Sequence, residues 1–346
     1  MTLISWFADL QLSDRPAVGG KGGSLGELTR AGISVPPGFV VRVEAFDAFL
    51  ANVEQTHPVR QKVSTLDADD LDAVQRVAAE AQGAMLSHPL PAPLRAALRE
   101  AYAKLFEGGA PAPVAVRSSA TAEDSADASF AGLQDTLLWI LDYDSLERAL
   151  LQCWASLYSV PSISYRRKRN MPEHEVSMVV VVQRMVDSRT AGVLFTRSPT
   201  TGDRSVVVIE GAWGLGSAVV SGEVTPDHWV VGKITGEVTV REIREKHILH
   251  APKPEGGTQE VEVEGARRTE PCVSDAELQQ LRDLGRRIER HYGCPQDIEW
   301  AFDRDGVLRV LQSRPETVWA ARDAKPVANA HDNPLNHVMS IFGGKR

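Results

Sequence analysis

Residues 297–315 read DIEWAFDRDGVLRVLQSRP, and the fold turns on how this stretch pairs with itself. Apolar and polar residues alternate on either side of Asp305-Gly306, a two-residue signal of the kind that closes a β-hairpin. With those two residues as the turn, Arg304 pairs with Val307 and the pairing runs outward. Glu299 then stands opposite Gln312, and Asp297 opposite Arg314. Side chains alternate with a period of two, so all four fall on one face, which Ala301, Val310 and Leu308 extend as an apolar inner part. A carboxylate beside an amide oxygen is a pair of hard ligands suited to Mg²⁺, which makes Glu299 and Gln312 candidate metal ligands. Asp297 and Arg314 lie at the mouth. The competing reading is an exposed hairpin face with an ordinary Asp–Arg pair.

A second stretch, VGGKGGSLGEL at 18–28, sets one lysine among glycines. A Walker loop needs glycine five residues before Gly20-Lys21 and a hydroxyl after it, but Arg15 and Gly22 stand there. The dinucleotide fingerprint fails at Leu25 and has no strand before it. What remains is physical: Gly19, Gly20, Gly22 and Gly23 let backbone approach a ligand. Ser24 is expected to cap a helix from Leu25 to Ala31 that Gly32 ends. A helix start beside Lys21 suits an anion, and a tight turn with a solvated lysine is an equal alternative.

Around these stretches the chain alternates between two textures. Residues 1–110 read as mixed α/β, with FVVRV after Pro36-Pro37-Gly38 as a strand and helix from Glu44 to Phe106. VAVRSSATAEDS opens a strand into a hydroxyl-rich loop, SFAGLQDTLLWI is a further strand, and helix follows from Ser145 to Arg169. The second half is richer in strands: SMVVVVQRM, AGVLFT, SVVVIEGAW, DHWVVG and EVTVREI. APKPEGGTQ reads as a mobile loop. Ser274 and Glu277 form a capping box for a helix with Leu278, Leu281, Leu284 and Ile288 on one stripe, ending near Gly293.

Composition narrows the class. The 346 residues carry a net charge of −8, with 43% hydrophobic and 24% charged residues, and the pI is about 5.7. That is a globular balance and argues against a nucleic-acid-binding surface. The one basic run, YRRKRN at 165–170, reads as a solvated helix end. Three cysteines give neither a disulfide framework nor zinc spacing, and a cytoplasmic setting is expected. No signal peptide or membrane span is expected.

Six motifs in order, VGGKGGSLGEL, VPPGFVV, VAVRSSATAEDSADASFAGLQDT, GVLFTRSP, WGLGSAVVSGEVTPD and the hairpin, resemble the nucleotide-binding domain of phosphoenolpyruvate synthase, pyruvate phosphate dikinase and rifampin phosphotransferase. The resemblance spans roughly residues 5–317. It implies an α+β ATP-grasp fold with two lobes clamping ATP: an N-terminal lobe at 1–195, a C-terminal lobe at 196–318, and a tail or partner-docking segment at 319–346. It implies that Lys21 contacts ATP phosphates and that Arg117 binds the β- and γ-phosphates. Gly132 and Thr136 would line the phosphate and nucleotide pocket, and Gln183 would contact the adenine side. Asp297, Glu299, Gln312 and Arg314 would form the metal and phosphate end, with Glu210 and the WGLG loop completing the wall. Lys21, Arg117 and Arg314 are the expected catalytic cations. Singly, Arg117 reads equally as an ordinary strand-end arginine, and Gln183 as a buried amide satisfied by backbone.

Members of this family also carry a swivelling domain with a phosphorylated histidine in a G-G-x-x-S-H setting, and an acceptor-binding part. None of the nine histidines here has that setting. The implied role is therefore an ATP-binding piece that phosphorylates a histidine on a separate subunit, releasing AMP and then Pi. Such a division resembles phenylphosphate synthase of anaerobic phenol degradation, where phenol is the acceptor. The alternatives are the ATP-binding part of a rifampin phosphotransferase or phosphoenolpyruvate synthase, a ligase that makes an acyl phosphate and ADP, and a non-catalytic nucleotide-binding subunit.

Overall fold

The computed structural model describes residues 2–107, 109–120, 136–317 and 319. Two antiparallel sheets organise them. The first has five strands in the order β1 (Ile4–Trp6), β2 (Gly38–Val41), β5 (Met178–Arg184), β3 (Val114–Ala120) and β4 (Thr136–Ile140). β5 is the near-continuous apolar run MVVVVQR, and it is buried on both faces, as such runs are when both sides of a sheet are covered. Val180 and Val182 face a helical layer that includes α2 (Val43–Val53), α3 (Val59–Ser64), α4 (Leu71–Ser87), α5 (Ala92–Leu105) and α6 (Tyr143–Ser156). Val179 and Val181 face α1 (Arg15–Arg30) through Val18 and Leu25. The helix expected from Ser145 to Arg169 is two: Pro161 starts α7 (Val160–Lys168), whose first turn Ser159 caps. In its basic run Arg166 is fully buried and paired with Glu173 at 3.1 Å, so that helix end is not simply solvated.

The second sheet has six strands in the order β13 (Leu308–Pro315), β12 (Gln296–Asp303), β6 (Ser188–Phe195), β7 (Val206–Trp213), β8 (Asp227–Gly232) and β9 (Val238–Glu242). The short α8 (Ser217–Val220) joins β7 to β8, and one face of the sheet packs on α9 (Asp275–Tyr292), whose capping box, buried Leu278, Leu281 and Ile288, and left-handed Gly293 follow the expected pattern. β6 already belongs to this sheet, so the crossing between lobes precedes the expected boundary at 195. Leu28 and Ile33 also pack into the second core. The cause is tertiary: β6 finds its partners on β12 and β7, and the end of α1 lies against β13. APKPEGGTQ is not a free loop. It joins β10 (Ile248–Pro252) to β11 (Thr258–Glu262), and Gly257 N donates to Trp139 O at 3.0 Å, seating the ribbon tip on the first lobe.

The hairpin turn differs from the two-residue reading. Gly306 N donates to Asp303 O at 3.0 Å and Asp303 N to Val307 O at 3.1 Å, leaving a three-residue loop with Gly306 at φ +78. That slips the inner register by one residue, pairing Trp300 with Val310 and Phe302 with Leu308. A bulge at Leu311 then restores the register, so Glu299 does pair with Gln312 and Asp297 with Arg314. Val310 and Leu308 consequently join the core against α9 rather than the face that carries Glu299.

Candidate active site

Directly paired residues in neighbouring strands share a face. In the first sheet one such row is Thr136, Arg117, Val181 and Val40. Ser119 and Gln183 fall on the same face by the period of two. In the second sheet Gln312, Glu299, Val193, Glu210, His228 and Glu242 form a row. The two faces meet at Arg117. Its Nη2 donates to Glu299 Oε2 at 2.8 Å and to Gln312 Oε1 at 2.7 Å, and its Nη1 to Leu311 O at 3.1 Å. Arg117 is buried, with only 9% exposure. A residue of the first lobe thus ties together the two candidate metal ligands of the second.

Helix α1 lies between the sheets and joins them. Ser24, expected as an N-cap, sits inside the helix, and its Oγ donates to Ser313 O at 2.6 Å. Arg287 donates to Ala31 O at 2.6 Å, and His291 pairs with Glu27 at 2.7 Å. The helix begins at Arg15, before the glycines, and breaks once, at Gly19 (φ 67, ψ 173). There the backbone passes so close to the first sheet that a Cβ would stand 2.7 Å from Val179 Cγ2 and 2.9 Å from Ser119 Oγ. The helix resumes with Gly20 and half-buried Lys21. The glycine stretch is therefore a broken helix pressed on the strand that carries Arg117, rather than a loop before a helix.

The remaining expected residues are placed as follows. Thr136 opens β4 beside Arg117 and is exposed. Gln183 is buried, and its amide donates to Pro36 O at 3.4 Å, so backbone satisfies it in part. Glu210 bonds His228 Nδ1 at 3.2 Å and is separated from Glu299 by β6, so it shares the face without touching the pair. Arg314 is largely exposed, 3.4 Å from Asp297 Oδ2. Gly132 lies outside the described residues, as does the expected docking segment beyond Trp319. Trp319 itself donates from its indole to Pro199 O at 2.9 Å.

Two residues escaped the sequence reading. Ser119 Oγ is buried with no hydrogen-bond partner among the described residues, and it faces Gly19. Its place two residues beyond Arg117 was the available signal. Glu316, also buried, lies near enough to Asp297 to raise its pKa, but as a residue just past the strand end it carried no periodic signal.

Burial pushes the Asp297 carboxyl up to about 6; Arg314 pulls it back in part and Glu316 adds to the rise. The folded form therefore holds this proton more tightly than the unfolded chain, whose value is 3.8. The stability contribution is full below about pH 4 and is lost as pH rises through about 6. Asp297→Asn is expected to flatten that slope, as read from denaturant midpoints at pH 4, 5, 6 and 7. An unchanged slope would rule out Asp297 as its source.

Two α+β lobes facing each other, with a buried arginine of one meeting an acid–amide pair of the other, form a clamp of the ATP-grasp type. The chain belongs to the pyruvate phosphate dikinase AMP/ATP-binding domain family, whose model matches residues 15–334. It is 43% identical over 316 residues to a probable phosphoenolpyruvate synthase of Methanothermobacter thermautotrophicus, covering 91% of this chain and 46% of that protein. It is also 43% identical over 341 residues to a rifampicin phosphotransferase of a Streptomyces species, covering 98% of this chain and 38% of the relative. The chain thus spans less than half the length of these curated relatives. Among solved structures, D-cycloserine synthetase DcsG aligns over 84% of this chain and 61% of its own, at 13% identity and a TM-score of 0.27. No helix among the described residues is long and apolar enough to cross a membrane.

Proposed function

We propose that this chain is the ATP-binding part of a dikinase-type phosphotransferase, acting with a histidine-bearing partner subunit. The observation that carries the reading is the convergence of Arg117 with Glu299 and Gln312 across the two lobes. Phosphoryl transfer asks a protein mainly for positioning and charge neutralisation. Arg117, and Lys21 where α1 resumes, supply positive charge for the β- and γ-phosphates, and Arg314 supplies it at the mouth. Thr136 and Gln183 stand on the same face for the rest of the nucleotide.

The residues also fit Mg²⁺. Two oxygens that reach one nitrogen at 2.7 and 2.8 Å lie close enough to share a single cation. The buried Asp297 Oδ1 beside them has no hydrogen-bond partner among the described residues. Glu299 and Gln312 would hold the ion, with Asp297 behind them, and the ion would supply neutralisation of phosphate charge. In the proposed step a histidine nitrogen of the partner bonds the β-phosphorus of ATP as the bridging oxygen to the α-phosphate leaves with AMP. Water then removes the γ-phosphate as Pi, and the phosphohistidine passes its phosphoryl group to the acceptor. Phenol, the acceptor implied by the resemblance to phenylphosphate synthase, is the one we favour, in a cytoplasmic setting. Pyruvate and rifampicin are the second reading, favoured by the relatives' names.

Phosphorus NMR of products tests this directly, with and without a histidine-bearing partner, and with each acceptor in turn. AMP and Pi that appear with the partner, and a phosphorylated acceptor peak, are expected. ADP as the product would replace the reading with a ligase. Phosphorylation of pyruvate or rifampicin instead of phenol would select the second reading.

A further inference from the structure

We infer that Arg117 is a built-in counter-cation that keeps the metal ligands closed, so that the divalent ion enters with the nucleotide rather than before it. The inference rests on the proposed assignment of Glu299 and Gln312 to the metal. The same Nη2 occupies both ligand oxygens, at 2.8 and 2.7 Å. Leu311 O holds the neighbouring Nη1, and that carbonyl points to the cleft because the bulge leaves Leu311 without a partner in the β12 ladder. The bulge that sets Glu299 opposite Gln312 therefore also anchors the guanidinium between them.

A guanidinium and a divalent cation compete for these oxygens: Arg117 Nη2 lies on Glu299 Oε2 and Gln312 Oε1, and like charges a few ångströms apart repel. Arg117 is not locked, however: its Nε is buried with no hydrogen-bond partner among the described residues, and the Glu299 side chain keeps 29% exposure. A triphosphate supplies what releases it, since phosphate oxygens accept the planar fork of arginine in bidentate fashion. Arg117 then turns from Glu299 and Gln312 to phosphate, and the two freed oxygens become available to the metal. A fixed interlobe tie, the rival reading, would keep Glu299 and Gln312 from the metal with nucleotide bound as well.

The test is Mn²⁺ titration without nucleotide, followed by electron paramagnetic resonance of the free ion. Wild-type protein is expected to bind weakly, Arg117→Gln at least about tenfold more tightly, and Arg117→Lys like wild type, because an ammonium still fills the gap. Adding Glu299→Gln to Arg117→Gln is expected to remove the gain, which locates it at this pair. Arg117→Met serves the same purpose if Arg117→Gln does not give a cooperative thermal transition. Equal Mn²⁺ affinity in wild type and the neutral variants, or a gain that survives Glu299→Gln, overturns the inference. Calorimetry with a non-hydrolysable ATP analogue separates the two levels. If the analogue binds and the charge series is flat, only the exchange fails; if it does not bind, the proposed function fails as well.

Discussion

Arg117→Ala is expected to lower phosphoryl transfer by roughly 10²–10³-fold, the size of loss seen when one preorganised donor to developing charge is removed. The argument runs from the strand outward. Arg117 is held in register between Thr136 on β4 and Val181 on β5, so its direction is set by the sheet rather than by a loop. From the first lobe it reaches both Glu299 and Gln312. Alanine removes the cation for the phosphates and the tie between lobes together. The fold is expected to survive, because the abandoned Glu299 carboxylate is 29% exposed and water can reach it. Removing one partner of a largely buried ion pair costs about 3–5 kcal/mol, at or below the low end of the roughly 5–15 kcal/mol by which domains are stable. Partner phosphorylation and the denaturant midpoint, measured on the same preparation, check both halves. Near-normal transfer by a folded Arg117→Ala protein would remove Arg117 from the machinery.

Gly19→Ala is expected to destabilise the protein by roughly 2–6 kcal/mol and to weaken nucleotide binding. Its backbone lies at φ 67 and ψ 173, a region open essentially to glycine alone, where another residue costs about 1–3 kcal/mol. A methyl group would also meet Val179 at 2.7 Å and Ser119 at 2.9 Å, and forced overpacking adds a similar amount. Relief requires α1 to move off β3 and β5, and that helix carries Lys21 and the bond from Ser24 to Ser313. Gly83 provides the control. It lies in α4, where a would-be Cβ meets nothing within 4 Å beyond its own turn of helix, so alanine there is expected to stabilise by about 0.5–1 kcal/mol. Chemical denaturation of both variants, with calorimetric titration of an ATP analogue, reads the contrast. Equal stability of the two would contradict a broken helix at Gly19.

Much of the site was legible because strands obey a short rule. Alternation alone placed Asp297 and Glu299 on one face, and opposition across Asp305-Gly306 paired them with Arg314 and Gln312. The pairing proved right although the turn was wrong: a three-residue loop and a bulge at Leu311 offset each other. Local sequence does not announce such an offset, because the bulge is settled by what β12 and β13 pack against, and Val310 gains more inside the α9 core than on the cleft face. The capping box at Ser274 was equally plain, since both of its hydrogen bonds form within one turn of helix.

The glycine stretch was not legible. Its spacing matched neither phosphate template, and only the sheet beneath it shows why glycine is needed: Gly19 lets α1 break and lie on Val179 and Ser119. Ser24 looked like a cap because a local rule sees only neighbours, whereas its partner Ser313 stands at the far end of the chain. The sequence by itself determined the shared face of Asp297 and Glu299, the strongest helix and the order of motifs, because each is read from residues close together in the chain. The meeting of Arg117 with Glu299 and Gln312, the break at Gly19 and the early crossing between lobes at β6 were decided only in the tertiary structure. Each depends on surfaces distant in sequence, which become neighbours once two cores close on opposite sides of one helix.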